Sequence, residues 1–370
     1  MKIVRDSVME NYRRNFYHVY HTHIFPIFDM YEPERIKKLS LVVLVAVITA
    51  ILAFGVFLCS ITQENDDIGE ILMCVAIGIG VLGGWIIYSI RDNFISNLKK
   101  SCMGHIVQVF GNLSWTPHID LIDDYEARNS ELFAPYNRRT SDDSFSGEYK
   151  GINFKICETH MWREQGSGKN RRTIEVFKGV LVKFDFNKSI NSKTVIMTKS
   201  RDGGKIFTSV YILFLVVSLG GNLLLAFLAG LKSFLFIGGG LVIFLIVYAL
   251  ISRSKNRKGS YLQELKLEDP EFNKHYRAYS TNQVEGRYLI TPAFMERFKH
   301  IQTAFGAKNA KCAFYDSHIL FALSTNKNLF EVGGLFHTLK DPKQMEEFFN
   351  ELTSIMRLID RFKLTEHTGL

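Results

Sequence analysis

Two long uncharged stretches near the start of the chain predict a transmembrane hairpin. Residues 39–61 and 71–90 contain no charged side chain. As helices, both are long enough to cross a hydrocarbon core of about 30 Å. The stretch between them, residues 62–70, is rich in acidic residues and leaves room for a short turn only. We therefore expect two antiparallel spans joined by one short loop.

A third apolar stretch, residues 206–252, predicts a second hairpin. Its one charged residue is Lys232, and a single helix of this length would be more than twice as long as a bilayer core is thick. A turn at residues 230–233 gives spans at 206–229 and 234–252. No cleavable signal is expected, because the first apolar stretch starts far into the sequence and is too long for a signal core.

Outside the spans, the spacing of apolar residues predicts antiparallel strands and packing helices. Helical spacing continues the second span as an amphipathic helix over residues 94–110. Alternation predicts strands at 148–161, 177–187 and 194–197, with a polar hairpin tip between the first two. These elements are typical of an α+β module.

The C-terminal part continues this pattern. It predicts strands up to Ile290, a helix over 292–305, strands within 311–323 and a final amphipathic helix that starts after Asp341. The predicted fold class is α+β, with four transmembrane α-helices in two hairpins and a cytoplasmic module of antiparallel strands and packing helices.

The spans divide the chain into five parts. These are an N-terminal amphipathic cytoplasmic tail (1–38), a first transmembrane hairpin (39–90), a cytoplasmic α+β segment (91–205), a second transmembrane hairpin (206–252) and a second cytoplasmic α+β segment (253–370). The two soluble segments form either two domains of similar size or one composite domain that the second hairpin interrupts.

Charge and composition set the class and the orientation. The chain is 47% apolar with 30 Phe, which excludes a disordered protein, and its 5 Cys exclude a disulfide-rich secreted scaffold. The net charge is +8. Basic residues flank the spans on the side of the large segments, whereas Lys232 is the single basic residue in the two hairpin tips. Both termini and both soluble segments are therefore expected in the cytoplasm. The orientation of the chain in the membrane thus explains its excess of basic residues, and no nucleic-acid partner is expected.

Two stretches of the soluble segments resemble a known family. They are residues 177–197, FKGVLVKFDFNKSINSKTVIM, and residues 267–298, LEDPEFNKHYRAYSTNQVEGRYLITPAFMERF. Both resemble bacterial membrane proteins of domain-of-unknown-function family 3137, over roughly residues 100–330. The resemblance implies a multi-pass protein of the bacterial inner (plasma) membrane, with soluble halves arranged around membrane hairpins. It supplies no catalytic residues.

Three motif-like patterns do not predict a cofactor or metal site. Residues 78–83 match GxGxxG but lie inside an apolar span, and residues 166–169 lack the other positions of a phosphate-binding loop. The third pattern offers the ligand types of a zinc site, in Cys102, His105, Cys157 and His160. On a strand, residues three apart point to opposite faces, so its second pair is poorly placed. Carboxylates such as Glu158 are expected to be solvated, and no catalytic residue, cofactor or metal is assigned.

Two sets of residues are expected to make contacts at the membrane. Small and polar residues of the spans are predicted to pack helices together: Ala46, Ala50, Gly80, Gly84 and Asn222. Basic residues are predicted to contact anionic lipid headgroups or a protein partner: Arg35, Lys37, Lys38, Lys169, Arg171, Arg172, Arg253, Lys255, Arg257 and Lys258. The expected partners are therefore membrane lipid and another protein or a second copy of the chain.

The N-terminal tail has three possible roles. Aromatic residues between positions 12 and 28 are interleaved with His18, His21 and His23. This composition suits a segment on the membrane surface, a segment docked against the protein, or a metal site.

Three functions follow from these features. The leading hypothesis is an inner-membrane protein whose cytoplasmic module is a non-catalytic binding or scaffolding platform. The alternatives are a membrane-tethered enzyme with a site assembled from both soluble segments, and a transporter or channel component. A pocket with strongly perturbed carboxylates would favour the enzyme, and a water-filled path between spans would favour transport.

Overall fold

Two long helices dominate the first third of the chain. A computed structural model describes residues 7–166, 168, 171–186, 189–199, 262–301 and 306–362. Its first elements are α1 (Ser7–Val19), a π-helical turn (Tyr20–Ile24), α2 (Phe25–Thr62) and α3 (Asp66–Val109). Helix α3 folds back against α2. The stretches Glu10–Thr62 and Asp66–Val109 are both long and apolar enough to cross a membrane, and their most apolar windows are only 6% buried.

Nine strands of the described residues form one antiparallel sheet. They are β1 (Leu113–Pro117), β2 (Arg138–Tyr149), β3 (Ile152–Gln165), β4 (Arg172–Asp185), β5 (Thr194–Thr198), β6 (Gln263–Leu265), β7 (Tyr276–Ser280), β8 (Asn309–Tyr315) and β9 (His318–Ser324). Their order is β1-β2-β3-β4-β9-β8-β5-β7-β6. Strands β8 and β9 therefore lie between β4 and β5, so the strands of the two soluble segments interleave.

Most of the helices cover one face of this sheet, and α4 (Asp124–Asn129) lies on the other. The remaining helices are α5 (Pro270–His275), α6 (Gln283–Leu289), α7 (Pro292–Lys299) and α8 (Pro342–Phe362). Buried residues of α3, α7 and α8 share one core with the sheet. In that core the ring of Phe362 lies 5.0 Å from that of Phe321 and 5.1 Å from that of Phe294. A smaller core on the opposite face joins Leu181 to Leu132 and Ala127.

The N-terminal tail docks against the protein. The ring of Phe16 lies 4.6 Å from Phe349 of α8, and that of Tyr12 lies 5.5 Å from Phe110 at the end of α3. Tyr20, Ile24 and Phe28 are buried in the same core. The aromatic residues of the tail therefore contact the protein, as expected for the docked alternative.

Most of the predicted elements are confirmed. The α+β class, the helix that continues beyond the second span, the β3–β4 hairpin and the final helix are all present. The turn between β8 and β9 lies at Asp316 and Ser317, both with positive φ. The second hairpin, residues 206–252, lies outside the described residues.

Other predictions were wrong or incomplete. The stretch up to Ile290 was expected to be rich in strands, and β6 and β7 lie there. Helices α5 and α6 lie there as well, because side chains cap both of them. Asp269 accepts from the backbone N–H groups of Glu271 and Phe272, and Asn282 does the same at the start of α6. The helix expected over 292–305 ends at Lys299. Strands β1 and β2 and helix α4 were not predicted.

Candidate functional site

A β-bulge creates an acidic cluster where α3 crosses the sheet. The pairing of β2 with β3 is regular up to Ser141 opposite Thr159 and resumes at Ser144 opposite Cys157. Two residues, Asp142 and Asp143, therefore face the single Glu158. Asp142, Asp143 and Glu158 each have a carboxylate oxygen within 4.8 Å of the other two.

Lys99 of α3 provides a cation inside this cluster. Its side chain is only 8% exposed, and its Nζ lies 2.6 Å from Oδ2 of Asp143 and 3.2 Å from Oε1 of Glu331. Burial alone would lower the pKa of Lys99, but the carboxylates of Asp143, Glu331 and Asp142 outweigh it and raise that pKa. Lys99 is therefore a buried ammonium that ties α3 to β2 and to the loop after β9.

Asp143 is held on both of its oxygens. Oδ2 accepts from Lys99, and Oδ1 accepts from Nε1 of Trp115 at 2.7 Å. The Asp143 side chain is 1% exposed. Strand β1, which carries Trp115, pairs with β2 through Pro117 opposite Asp143. These contacts fix one carboxylate of the cluster in a single orientation.

Glu158 is the least satisfied carboxylate of the cluster. Its Oε1 accepts from the backbone N–H of Leu329 at 3.2 Å, whereas its Oε2 is buried with no hydrogen-bond partner among the described residues. Burial raises the pKa of Glu158 to about 8, and the nearby carboxylates of Asp142 and Asp143 add to this effect. At neutral pH, the protonated form of Glu158 is therefore favoured.

A cavity of about 300 Å³ opens beside the cluster. Its lining comes from the end of the predicted second span and from both soluble segments, and includes Tyr88, Arg91, Trp115, Asp142 and Glu331. Asp142 is 41% exposed, so the cluster can be reached from solvent. The site thus combines a polar cavity, one buried ammonium and four carboxylates, and it can bind a cation or exchange protons.

The predicted membrane-packing residues are only partly at the helix contact. Gly80 and Gly84 are exposed, and open space surrounds the position that a Cβ would take at either. The close approach within the hairpin is at Gly83 instead, where a Cβ would lie 2.4 Å from Cγ2 of Thr49. Ala46 is half-buried and Ala50 is exposed. Asn222 lies outside the described residues.

The predicted basic contact residues differ in their surroundings. Arg35 is buried, pairs with Glu32 at 2.8 Å and donates to the backbone oxygen of Leu335 at 2.9 Å, so its charge is used inside the protein. Three members of the set are exposed, namely Lys37, Arg171 and Arg172, and Lys38 is half-buried. The remaining members of the set lie outside the described residues: Lys169, Arg253, Lys255, Arg257 and Lys258.

The two Cys-x-x-His pairs do not meet. Cys102 belongs to the core on the helical face of the sheet, and Cys157 belongs to the core on the opposite face. His160 instead lies 2.9 Å from a carboxylate oxygen of Glu175. These four residues therefore cannot share one ion.

Sequence reasoning missed most of the acidic cluster. Glu158 was considered and expected to be solvated, but it is 8% exposed. The available signal was the pair Asp142-Asp143 inside a segment that continues directly into a predicted strand. Because β2 itself was not predicted, neither the bulge nor its partner on β3 could be inferred.

Comparisons with known proteins identify a family but not a function. The profile of the family described as "Protein of unknown function (DUF3137)" matches residues 175–364, more than half of the chain. No curated protein matches the sequence. A solved structure with some likeness is the crystal structure of the mycobacterial trehalose monomycolate transport factor A, TtfA, at a TM-score of 0.31 and 9% identity over 70% of this chain and 90% of that one. A likeness at that level carries no argument.

Proposed function

This chain belongs to the DUF3137 family of proteins of unknown function, and we propose that it is a membrane-anchored binding platform. In this proposal, α2 and α3 cross the membrane as a hairpin and the second predicted hairpin completes four spans. The sheet and its covering helices form the cytoplasmic module. The cavity beside the acidic cluster is its binding site for a polar ligand or partner group.

The continuity of α3 supports this proposal. Within one unbroken helix, Val81 and Trp85 are each 67% exposed, whereas Phe94 and Leu98 are 2% and 0% exposed. An apolar surface of this extent is costly in water and is expected to be covered by lipid. Because a single helix carries both surfaces, the module is held at a fixed height above the membrane.

The position of the cavity supports a role at the membrane surface. Lys99 follows the end of the predicted span at residue 90 by nine residues, or about 14 Å along a helix. Exposed Phe336 lies one residue after Leu335, whose backbone oxygen binds Arg35 near the base of the first span. A ligand in the cavity would therefore sit close to the lipid headgroups.

Site-directed labelling tests the anchoring. In a background with Cys59→Ser and Cys74→Ser, the remaining thiols are buried, and one new cysteine is introduced at a time. Leu52→Cys should react with a lipid-soluble maleimide but not with a water-soluble one in membranes, because Leu52 is 53% exposed within the apolar stretch. Ile174→Cys on β4, 41% exposed, is the matched control.

The outcome also tests the orientation. Ile174→Cys should react with the water-soluble reagent in inverted inner-membrane vesicles and not in intact cells. Water-soluble labelling of Leu52→Cys at the rate of Ile174→Cys would refute the membrane span. Labelling of Ile174→Cys in intact cells would refute the cytoplasmic module.

The acidic cluster favours a second candidate, a membrane-tethered enzyme. Asp142, Asp143 and Glu158 come from the first soluble segment and Glu331 from the second, and buried carboxylates beside a cavity are common in active sites. Ion-pair networks without a catalytic role also shift the pKa values of carboxylates, and Asp143 is already paired with Lys99. Turnover of a chromogenic ester or phosphoester by the purified chain, lost in Glu158→Gln, would favour the enzyme over the platform.

A further inference from the structure

The acidic cluster contains more negative charge than its lysine balances. Asp142, Asp143 and Glu158 lie together on adjacent strands, and Glu331 approaches Lys99 from the loop after β9. Among the described residues, Lys99 is the ammonium paired with this group, and Nδ1 of His118 lies 3.9 Å from Oδ1 of Asp142. Uncompensated carboxylates at low exposure are unfavourable, so the cluster calls for either protons or a further cation.

Glu158 shows where that cation would bind. The residue is 92% buried, and its Oε2 has no hydrogen-bond partner within the described part of the chain. Buried polar atoms are nearly always paired, so this carboxylate oxygen is free to accept a ligand. The bulge places this carboxylate directly opposite Asp142 and Asp143.

The spacing of the carboxylates suits one divalent ion. Oxygens on opposite sides of an ion bound at roughly 2.1–2.6 Å are about 4–5 Å apart, and the three carboxylates each place an oxygen within 4.8 Å of the others. Asp143 uses one lone pair on each oxygen for Lys99 and Trp115 and retains one on each. Asp142, at 41% exposure, provides the way in from solvent.

We propose that Asp142, Asp143 and Glu158 bind one divalent cation of the oxygen-preferring class, Mg²⁺, Mn²⁺ or Ca²⁺. The ion joins β2 to β3 at the bulge, and Lys99 remains paired with Asp143 and Glu331. All three ligands are carboxylates, which suits hard cations better than Zn²⁺ or Cu²⁺. The proposal does not depend on the platform function, since it concerns binding by the chain itself.

Mn²⁺ binding tests this site. The full chain, purified in mild detergent and stripped with EDTA, is titrated with Mn²⁺ and followed by electron paramagnetic resonance, with Mg²⁺ and Ca²⁺ as competitors. We expect one bound equivalent. Glu158→Gln and Asp142→Asn should each weaken binding by about ten-fold or more. Loss of a residue that only hydrogen-bonds a metal ligand already weakens binding by about that factor. Glu175→Gln, at an exposed carboxylate of β4, should bind like the wild type.

Thermal melts with and without Mn²⁺ provide a second measurement of binding if one variant is unstable. Mn²⁺ should raise the midpoint of the wild type and of Glu175→Gln but not that of Glu158→Gln, and circular dichroism verifies folding of each. Asp142→Asn, at the more exposed ligand, serves as the second variant. The proposal is overturned if the wild type binds none of the three ions up to about 1 mM, the weak end for oxygen-ligand sites. It is also overturned if both variants bind Mn²⁺ as the wild type does.

Discussion

Replacing Lys99 by methionine should destabilise the junction between α3 and the sheet. The Lys99 Nζ lies 2.6 Å from Asp143 and 3.2 Å from Glu331, and the lysine side chain is 8% exposed. Methionine fills a similar volume but leaves buried carboxylates without their cation, which costs about 3–5 kcal/mol. For a soluble module of this size, that corresponds to a fall of about 10 °C in the thermal midpoint.

The loss should depend on pH in a defined direction. Without Lys99, burial favours the protonated forms of Asp143 and Glu331, so the folded variant holds protons that the unfolded chain has released. The stability of the variant therefore rises as pH falls, and its deficit relative to the wild type should be smaller at about pH 5 than at about pH 8. Calorimetry or circular dichroism melts of the detergent-solubilised chain measure this deficit.

Lys100→Met is the matched control, because Lys100 is the next residue of α3 and is exposed. Exposed substitutions of this kind change stability by about 0.5 kcal/mol or less. If Lys99→Met costs no more than Lys100→Met, the buried ion pair does not stabilise the junction. If the deficit of Lys99→Met is the same at both pH values, the argument from unpaired carboxylates fails.

Three further perturbations test other parts of the fold. Burial raises the pKa of the Glu351 carboxyl to about 7. The contribution of this carboxyl to stability is therefore full below its ordinary pKa near 4.5 and is lost as pH rises through about 7. Glu351→Gln should flatten the dependence of the melting midpoint on pH over that range. Gly83→Leu should lower the midpoint because a Cβ there lies 2.4 Å from Thr49, whereas Gly84→Leu has open space and should not. Phe16→Ala, at 2% exposure, should cost about 3–5 kcal/mol in melts and expose the tail to trypsin, unlike Asn15→Ala at an exposed position.

The parts of the fold that were predictable share one property. The two spans are uninterrupted apolar runs, whereas residues 94–110 of α3 and one face of α8 repeat buried apolar side chains at helical spacing. The β3–β4 and β8–β9 hairpins alternate around turns with positive φ, such as Gly166 and Asp316. In these elements the local sequence and the tertiary structure require the same conformation.

The rest depends on contacts that the local sequence does not encode. Strand β2 is polar, yet it lies between β1 and β3, and its regular pairing is interrupted at Asp142 and Asp143. The short helices α5 and α6 are set by the caps Asp269 and Asn282, whose side chains override a weak alternation. The acidic cluster was unpredictable for the same reason, because it needs the bulge, the register of β3 and the crossing of α3 together.

Through Lys99, one helix connects the acidic cluster on β2 and β3 to the exposed apolar surface of α3. Lys99 pairs with Asp143 from a helix whose earlier part exposes apolar side chains to its surroundings. Any tilt of that part relative to the sheet must move Lys99 against Asp143 and Glu331, because the helix between them is unbroken. The ion pair therefore resists such a tilt together with the buried side chains of Phe94 and Leu98 on the same helix. A ligand that competed with Lys99 for Asp143 would therefore loosen this contact between α3 and the sheet.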